Sequence, residues 1–313
     1  MGVRLDSWAL NSLAVLSRSL QGVIYPGIGE GNKCALNTSA KRRLRVNTIA
    51  VAIAPKGNTR QTCKGIKNNQ GNTMIDLDRQ GDVFTMTLNA GENRWNTTFV
   101  RAIDEALNEV EASQGPAALV TTSASEKFFS NGLDLDWVQD PTAHPEAGDR
   151  AAFGPEFMGL MSRIMTFPVP TVCAVNGHAF GAGFMAALCH DVRFMRADRG
   201  FMCANELQIG LSIPSPELAL FKHKLPASVF FETVQLAKRW TGTAANAAGF
   251  VEHACDVESL VTSAQERAAQ LAPLAANREN YGGQKQRLFG ENAAINEVHG
   301  AAYMLANPSL YSH

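Results

Sequence analysis

The chain has 313 residues, 45% of them hydrophobic and 18% charged, with a formal net charge of −1, which suits one globular body with an extension. That near-neutrality hides an asymmetry: residues 1–73 carry eleven Lys/Arg against Asp6 and Glu30, leaving 17 basic and 27 acidic residues for 74–313. A body with that excess of acid disfavours nucleic-acid partners, which need concentrated Lys/Arg to meet phosphates. No run approaches the roughly 20 apolar residues that span a bilayer, the best N-terminal candidate being broken by Arg18.

Residues 1–73 lack sustained periodicity and read as a basic, unstructured leader ending just before Met74. Two origins fit this composition. One is a targeting segment of the mitochondrial kind, basic and poor in acid; the other is a start codon assigned too early, with Met74 the true beginning. The six cysteines, Cys34, Cys63, Cys173, Cys189, Cys203 and Cys255, form no CxxC pair and no Cys/His spacing that holds zinc. A reducing compartment and no metal site are expected.

From Ile75 the pattern changes. Ile75–Leu88 reads as a strand pair around Gln80-Gly81-Asp82, with Phe84, Met86 and Leu88 alternating against Val83, Thr85 and Thr87. A helix is expected at Thr97–Ala112, a strand at Ala117–Thr122 and a helix near Phe153–Thr166. A buried strand at Thr171–Val175, a glycine turn with a helix through Leu188, and a strand near Val192–Met195 follow. After Ser228 the chain is Ala-rich and mostly helical. Repeated strand–helix units imply an α/β core with parallel strands, spanning 74–255, with a helical region at 256–313.

Three segments stand out. Phe128-Phe129-Ser130-Asn131-Gly132-Leu133-Asp134-Leu135 is a strand-to-helix turn, in which Gly132 permits a left-handed backbone and Asp134 suits a helix cap. Pro170–Val175 then runs into Asn176-Gly177-His178-Ala179-Phe180-Gly181-Ala182-Gly183, where small residues let a ligand approach and unpaired helical N–H groups can meet an anion. Its spacing is not the dinucleotide fingerprint. In Gly200–Pro214 a single carboxylate, Glu206, sits among apolar residues, where burial would raise its pKa. Alone, each segment has an ordinary structural reading: a capped turn, a packing turn and a salt-bridged glutamate.

Together and in this order they resemble the enoyl-CoA hydratase/isomerase (crotonase) family, over roughly Met74–Glu252 and more loosely to the C-terminus. The resemblance implies a ClpP-like fold of repeated ββα units with a helical C-terminal region. It also implies an acyl-CoA thioester partner, no cofactor beyond the coenzyme A of the substrate, and a homotrimer or pair of trimers. Carried over by position, the backbone N–H groups of Leu133 and Ala182 match the family's two oxyanion donors, with Gly181 beside the second. Asn93, Arg94, Trp95, Ser130, Asn131, Gly132 and Asp134 match stretches that cradle the coenzyme. Glu206 matches the second of two catalytic glutamates in hydratases. Met185 occupies the first position, and an apolar side chain cannot orient water.

One carboxylate with an oxyanion hole resembles the Δ3,Δ2-enoyl-CoA isomerase branch, active in fatty-acid β-oxidation. There a single base moves a proton from C2 to C4 of a 3-enoyl-CoA. The alternatives are hydration, thioester hydrolysis or decarboxylation, each needing a second polar side chain, and a non-catalytic acyl-CoA-binding paralogue, which could dispense with Glu206. A start at Met74 implies a cytoplasmic protein and a cleaved transit peptide a mitochondrial one. Four other features have ordinary readings. His178 is read as packing locally, Cys189-His190-Asp191 as too contiguous for a triad, Asp134 and Asp136 as acids that could stand near the thioester, with a structural helix-start role for Asp134, and Lys285 with Arg287 as solvated helix charges.

Overall fold

The strand pair around Gly81 seeds the main sheet in a computed structural model that describes residues 60–62, 65–68, 71–140, 142–291 and 299–311. Strands β1 (Arg60–Thr62) and β2 (Ile66–Lys67) both pair with β3 (Thr73–Gln80), which turns back at Gly81 into the antiparallel β4 (Val83–Leu88). Phe84, Met86 and Leu88 are buried and Thr85 and Thr87 half-buried, the alternation expected of a strand with one face on the core. The sheet therefore reaches back to Arg60 and takes Ile66 into the core, inside the segment read as leader. The rest of that segment, residues 1–59, 63–64 and 69–70, lies outside the described residues.

Helix α1 (Thr97–Ala112) matches its expected bounds because both signals were local. The Asn96 side chain caps it by accepting from Phe99 N at 3.0 Å, and Phe99, Ile103, Ala106, Leu107 and Val110 form its buried stripe. Next come β5 (Ala118–Ser123), β6 (Phe128–Ser130), α2 (Leu135–Gln139) and α3 (Arg150–Met165). Two further units follow: β7 (Thr171–Val175), β8 (His178–Phe180) and α4 (Ala182–Cys189), then β9 (Val192–Arg196), β10 (Met202–Cys203) and α5 (Ser215–Lys224). Helices α6 (Ala227–Val234) and α7 (Gly242–Ala247), strand β11 (His253–Cys255), then α8 (Val257–Leu271), α9 (Arg278–Phe289) and α10 (Ala301–Ala306) complete the chain.

The main sheet runs β1-β3-β4-β5-β7-β9-β11 with β2 also on β3, parallel from β4 onward. A second, wholly parallel sheet runs β10-β8-β6. Each unit thus sends one strand to the large sheet, the next to the small one, and then a helix, which is the ββα repeat expected. The small sheet contributes least to the core and most to the site. On one face of the main sheet, Leu260, Ala264 and Ala268 of α8 cover Val83, Val120, Val172 and Phe194. The larger core on the other face takes in α1, α3 and α4.

Candidate active site

All three segments singled out in the sequence end on the small sheet. Its strands are parallel, with Phe128 opposite His178 and, past a bulge, Ser130 opposite Ala179, while Ala179 and Phe180 lie opposite Met202 and Cys203. Their carboxyl ends therefore lie along one edge. Two or three residues past those ends come Leu133, Ala182 and Glu206 respectively. Leu133 and Glu206, 73 positions apart in sequence, are brought to one end of the sheet by two ladder pairs at each strand pairing.

The first two turns interlock. Gly132 has φ +81°, and a Cβ there would stand 3.0 Å from the Phe180 carbonyl oxygen. A Cβ on Gly183 would fall 2.6 Å from the Ser130 carbonyl oxygen, so neither glycine tolerates a side chain. Trp95 N donates to Gly132 O at 2.9 Å and Asp134 N donates to Trp95 O at 3.0 Å. In such a bridge the residue between points its own N–H the other way, so that of Leu133 faces away from Trp95. Ala182 is the first residue of α4, where a helical N–H has no intrahelical acceptor.

Glu206 supplies the third element. It opens a 3-10 turn (Glu206–Ile209) and is buried. A Cβ on Gly181, which has φ +47° and ψ −116°, would stand 3.2 Å from Glu206 Oε1. The carboxylate thus lies against the backbone one residue before Ala182. Its Oε2 is buried with no hydrogen-bond partner among the described residues. Burial pushes this carboxyl above the usual glutamate value, against a weaker opposing pull from its own main-chain N–H. An unpaired, desolvated carboxylate beside main-chain donors can exchange a proton with a carbon acid whose anion those donors stabilise.

Sequence reasoning missed Glu217, in the first turn of α5. It is 7% exposed, and burial with the charge of nearby Glu206 pushes its carboxyl up to about 8. Met185, by contrast, is buried in the apolar core. The second carboxyl of the site therefore comes from α5 rather than α4. The sequence signal was confined to a Pro-Glu pair at a helix start, which ordinarily marks a solvated acid.

The residues expected to cradle the coenzyme divide sharply. Asn93 (φ +51°) is buried and its Nδ2 donates to Ser123 Oγ (2.7 Å) and Phe129 O (3.0 Å). Ser130 Oγ donates to Asn93 O at 2.7 Å. Trp95 packs between Phe99 and Phe157. Asp134 caps α2 and accepts from Asn96 Nδ2 at 3.1 Å. The side chains of Asn93, Trp95, Ser130 and Asp134 are thus occupied within the fold, leaving only their main chain for a ligand. Arg94 and Asn131 remain near the surface, both donating to Glu92 Oε2 at 2.8 Å. A groove of about 410 Å³ beside this turn includes Glu92, Arg94, Asp134, Asp136 and Glu146 in its lining, but not Glu206. The strand ends therefore locate the chemistry better than the groove does.

His178 packs as expected, stacked on Phe180 with centroids 5.2 Å apart. Cys189, His190 and Asp191 diverge. His190 bridges Ala186 O and Thr121 Oγ1, each at 2.8 Å, and burial holds its ring down at about 4. Asp191 accepts from Thr171 N at 2.9 Å, bracing β7. Lys285 departs from the solvated reading: it is buried and paired with Asp191 Oδ2 at 2.7 Å. Among the described residues no group of His, Cys, Asp and Glu could hold a metal ion, and no helix is long and apolar enough to cross a membrane.

Known proteins share this architecture. A family model described as enoyl-CoA hydratase/isomerase matches residues 78–280. Enoyl-CoA delta isomerase 2, peroxisomal, of Arabidopsis thaliana is 33% identical over 227 residues, 71% of this chain and 95% of that protein. Enoyl-CoA delta isomerase 3 of the same plant is 31% identical over 70% of this chain and 93% of its own length. Among solved structures, an enoyl-CoA hydratase/isomerase family protein of Pseudomonas syringae superposes with a TM-score of 0.61 at 27% identity. That match covers 69% of this chain and 90% of the other. The apo Mtb enoyl-CoA isomerase gives 0.60 at 25% identity, covering 74% and 97%.

Proposed function

Because the chain belongs to the enoyl-CoA hydratase/isomerase family, we propose that it shifts the double bond of a 3-enoyl-CoA to the 2-trans position, using Glu206 as the single base. The observation that carries this reading is the Glu206 carboxylate, whose Oε1 stands 3.2 Å from where a Cβ on Gly181 would lie, one residue from the Ala182 N–H, in a site where Met185 replaces any acid on α4. The Arabidopsis relatives named as delta isomerases support it.

In this mechanism Glu206 removes a C2 proton, and the electron pair moves onto the thioester oxygen. The N–H groups of Leu133 and Ala182 hold that oxygen. Two fixed donors aimed at a developing anion matter greatly, since one is worth roughly 10²–10³ in rate. The protonated Glu206 then returns a proton at C4. Both carbons lie on one face of the allylic system, so one carboxylate serves both steps. Coenzyme A enters as part of the substrate, and no separate cofactor is required. Arg94 and Asn131 are the side chains placed to meet it.

Fatty-acid β-oxidation of unsaturated chains is the natural setting. The compartment follows the leader, cytoplasmic for a start at Met74 and mitochondrial for a cleaved segment, and mass spectrometry of the native N-terminus distinguishes these. Exposed Leu207, Ile209 and Leu211, just beyond Glu206, support assembly into a trimer or pair of trimers that covers them. Light scattering on the purified protein measures that mass.

The direct test supplies purified protein with 3-enoyl-CoA and, separately, 2-enoyl-CoA. Conjugated thioester should form from the first with little hydroxyacyl product from the second; rapid hydration would overturn the assignment. Glu206→Gln should lower isomerisation by at least about 10²-fold while binding of an acyl-CoA persists, and retained activity would mean that another residue is the base.

A further inference from the structure

Ser130 joins the two turns that carry the main-chain donors. It ends β6 and is fully buried. Its hydroxyl donates to Asn93 O at 2.7 Å and accepts from Gly132 N at 3.3 Å. On its other side lies the start of α4, where a Cβ added to Gly183 would stand 2.7 Å from Ser130 Cβ and 2.8 Å from its Oγ. One side chain therefore holds the residue before Leu133 and packs against the residue after Ala182. Its anchor is itself fixed: Asn93 Nδ2 donates to Ser123 Oγ and Phe129 O, and Asn93 Oδ1 accepts from Ala90 N at 2.9 Å.

The N–H groups along the first turn can be followed one by one. Asn131 N donates to Glu92 O, Gly132 N to Ser130 Oγ, Asp134 N to Trp95 O and Leu135 N to Leu133 O. Among the described residues, none accepts from Leu133 N. A single donor left over in a turn whose other donors are satisfied is one held for a ligand. The Ser130 hydroxyl makes it single. Without that hydroxyl, Gly132 N would lose its acceptor too, and two idle donors would stand one peptide apart.

Building on the isomerase reading, we propose that Ser130 is a positioning residue for the oxyanion hole. Its hydroxyl takes the Gly132 N–H out of play, and its contact with Gly183 sets the separation between the Leu133 and Ala182 donors. Those donors come from separate segments, and they stabilise a developing anion only if held within about 0.5 Å of their working places. The hydroxyl is filled by this task, since its one proton goes to Asn93 O and a lone pair to Gly132 N.

The test uses the full-length protein. Ser130→Ala should lower kcat on 3-enoyl-CoA about 10²-fold with KM nearly unchanged, and Ser130→Cys, which keeps a weaker donor and acceptor, should recover part of the loss. An unchanged kcat would overturn the proposal, and so would a rise in KM alone, which would place Ser130 in coenzyme binding. The infrared carbonyl band of a bound saturated acyl-CoA, ¹³C-labelled at the thioester carbon, reads the hole without turnover. Wild type should lower that band below its position in water, and Ser130→Ala should reverse most of the shift; the same band in both would refute the assignment. A third measurement needs no variant. In wild type labelled with ¹⁵N at glycine and leucine, the Gly132 amide should resist hydrogen exchange throughout, whereas that of Leu133 should exchange readily until the saturated acyl-CoA binds. Rapid exchange at Gly132 in the free protein would sink the idea. If wild type moves no double bond, the isomerase reading fails, while the band and the exchange pattern still report whether Ser130 shapes the hole.

Discussion

Replacing Glu217 by Gln should make the protein more stable, and increasingly so as pH rises. The folded protein holds the Glu217 proton up to about 8, whereas an unfolded glutamate releases it near 4.5. The sign follows from linkage: a raised folded-state pKa confers stability that is complete below 4.5 and is lost as pH climbs to 8, because only the folded state still binds the proton. With each pKa unit equivalent to 1.36 kcal/mol, the full span amounts to about 5 kcal/mol, and to about 3 kcal/mol by pH 7. Glutamine fills the same volume, stays neutral and does not titrate, so the variant lacks this loss. Urea unfolding from pH 5 to pH 8.5, with midpoints compared at constant m, reads the difference directly. Glu206 titrates in both proteins and largely cancels. A stability gap between variant and wild type that stays constant over this range would show that Glu217 is ionised in the folded protein.

Three further outcomes test other parts of the structure. Gly181→Ala places a Cβ 3.2 Å from Glu206 Oε1 at φ +47°; it should cost about 1–3 kcal/mol in melting experiments and reduce kcat about 10²-fold, and a fully active variant would show that the carboxylate is not held there. The pH profile of kcat/KM should fall on the acid side at a pH above the ordinary glutamate value, because burial raises Glu206; a limb at or below 4.5 would contradict a desolvated base. Asp191→Ala removes the carboxylate that Lys285 and Tyr281 share and should destabilise by about 3–5 kcal/mol, whereas a neutral outcome would place Lys285 in solvent.

Elements carrying their own local signal were legible. The Asn96 cap and apolar stripe marked Thr97–Ala112, and the apolar run Thr171–Val175 marked a strand buried at every residue. Strands β6, β8, β10 and β11 have two or three residues each and exist only through their partners, which no local periodicity reveals. Strands β1 and β2 were hidden similarly, in a basic stretch where the apolar clue reduces to Ile66. At the site, the turns that carry Leu133 and Ala182 were legible because glycine spacing reports backbone conformation. Burial of particular side chains was not. Asn93 and Ser130 turn inward to tie loops together, and Glu217 reads in sequence as an ordinary acid at a helix start.

The small sheet also fixes how this site tolerates change in length. Each of its two strand pairings is held by two ladder pairs, and side chains and peptide groups alternate direction at every step along a strand. A single residue inserted between Ala179 and Gly181 would therefore reverse the direction in which the strand delivers the chain and shift the start of α4 relative to Glu206, even with every residue identity kept. Length changes ahead of β6 and β10 leave the residue count from strand to site intact, because the ladder resets the register before the chain reaches Leu133 or Glu206. Descendants of this scaffold should accordingly vary in the approaches to the three strands and stay invariant in residue count from each strand to its working group.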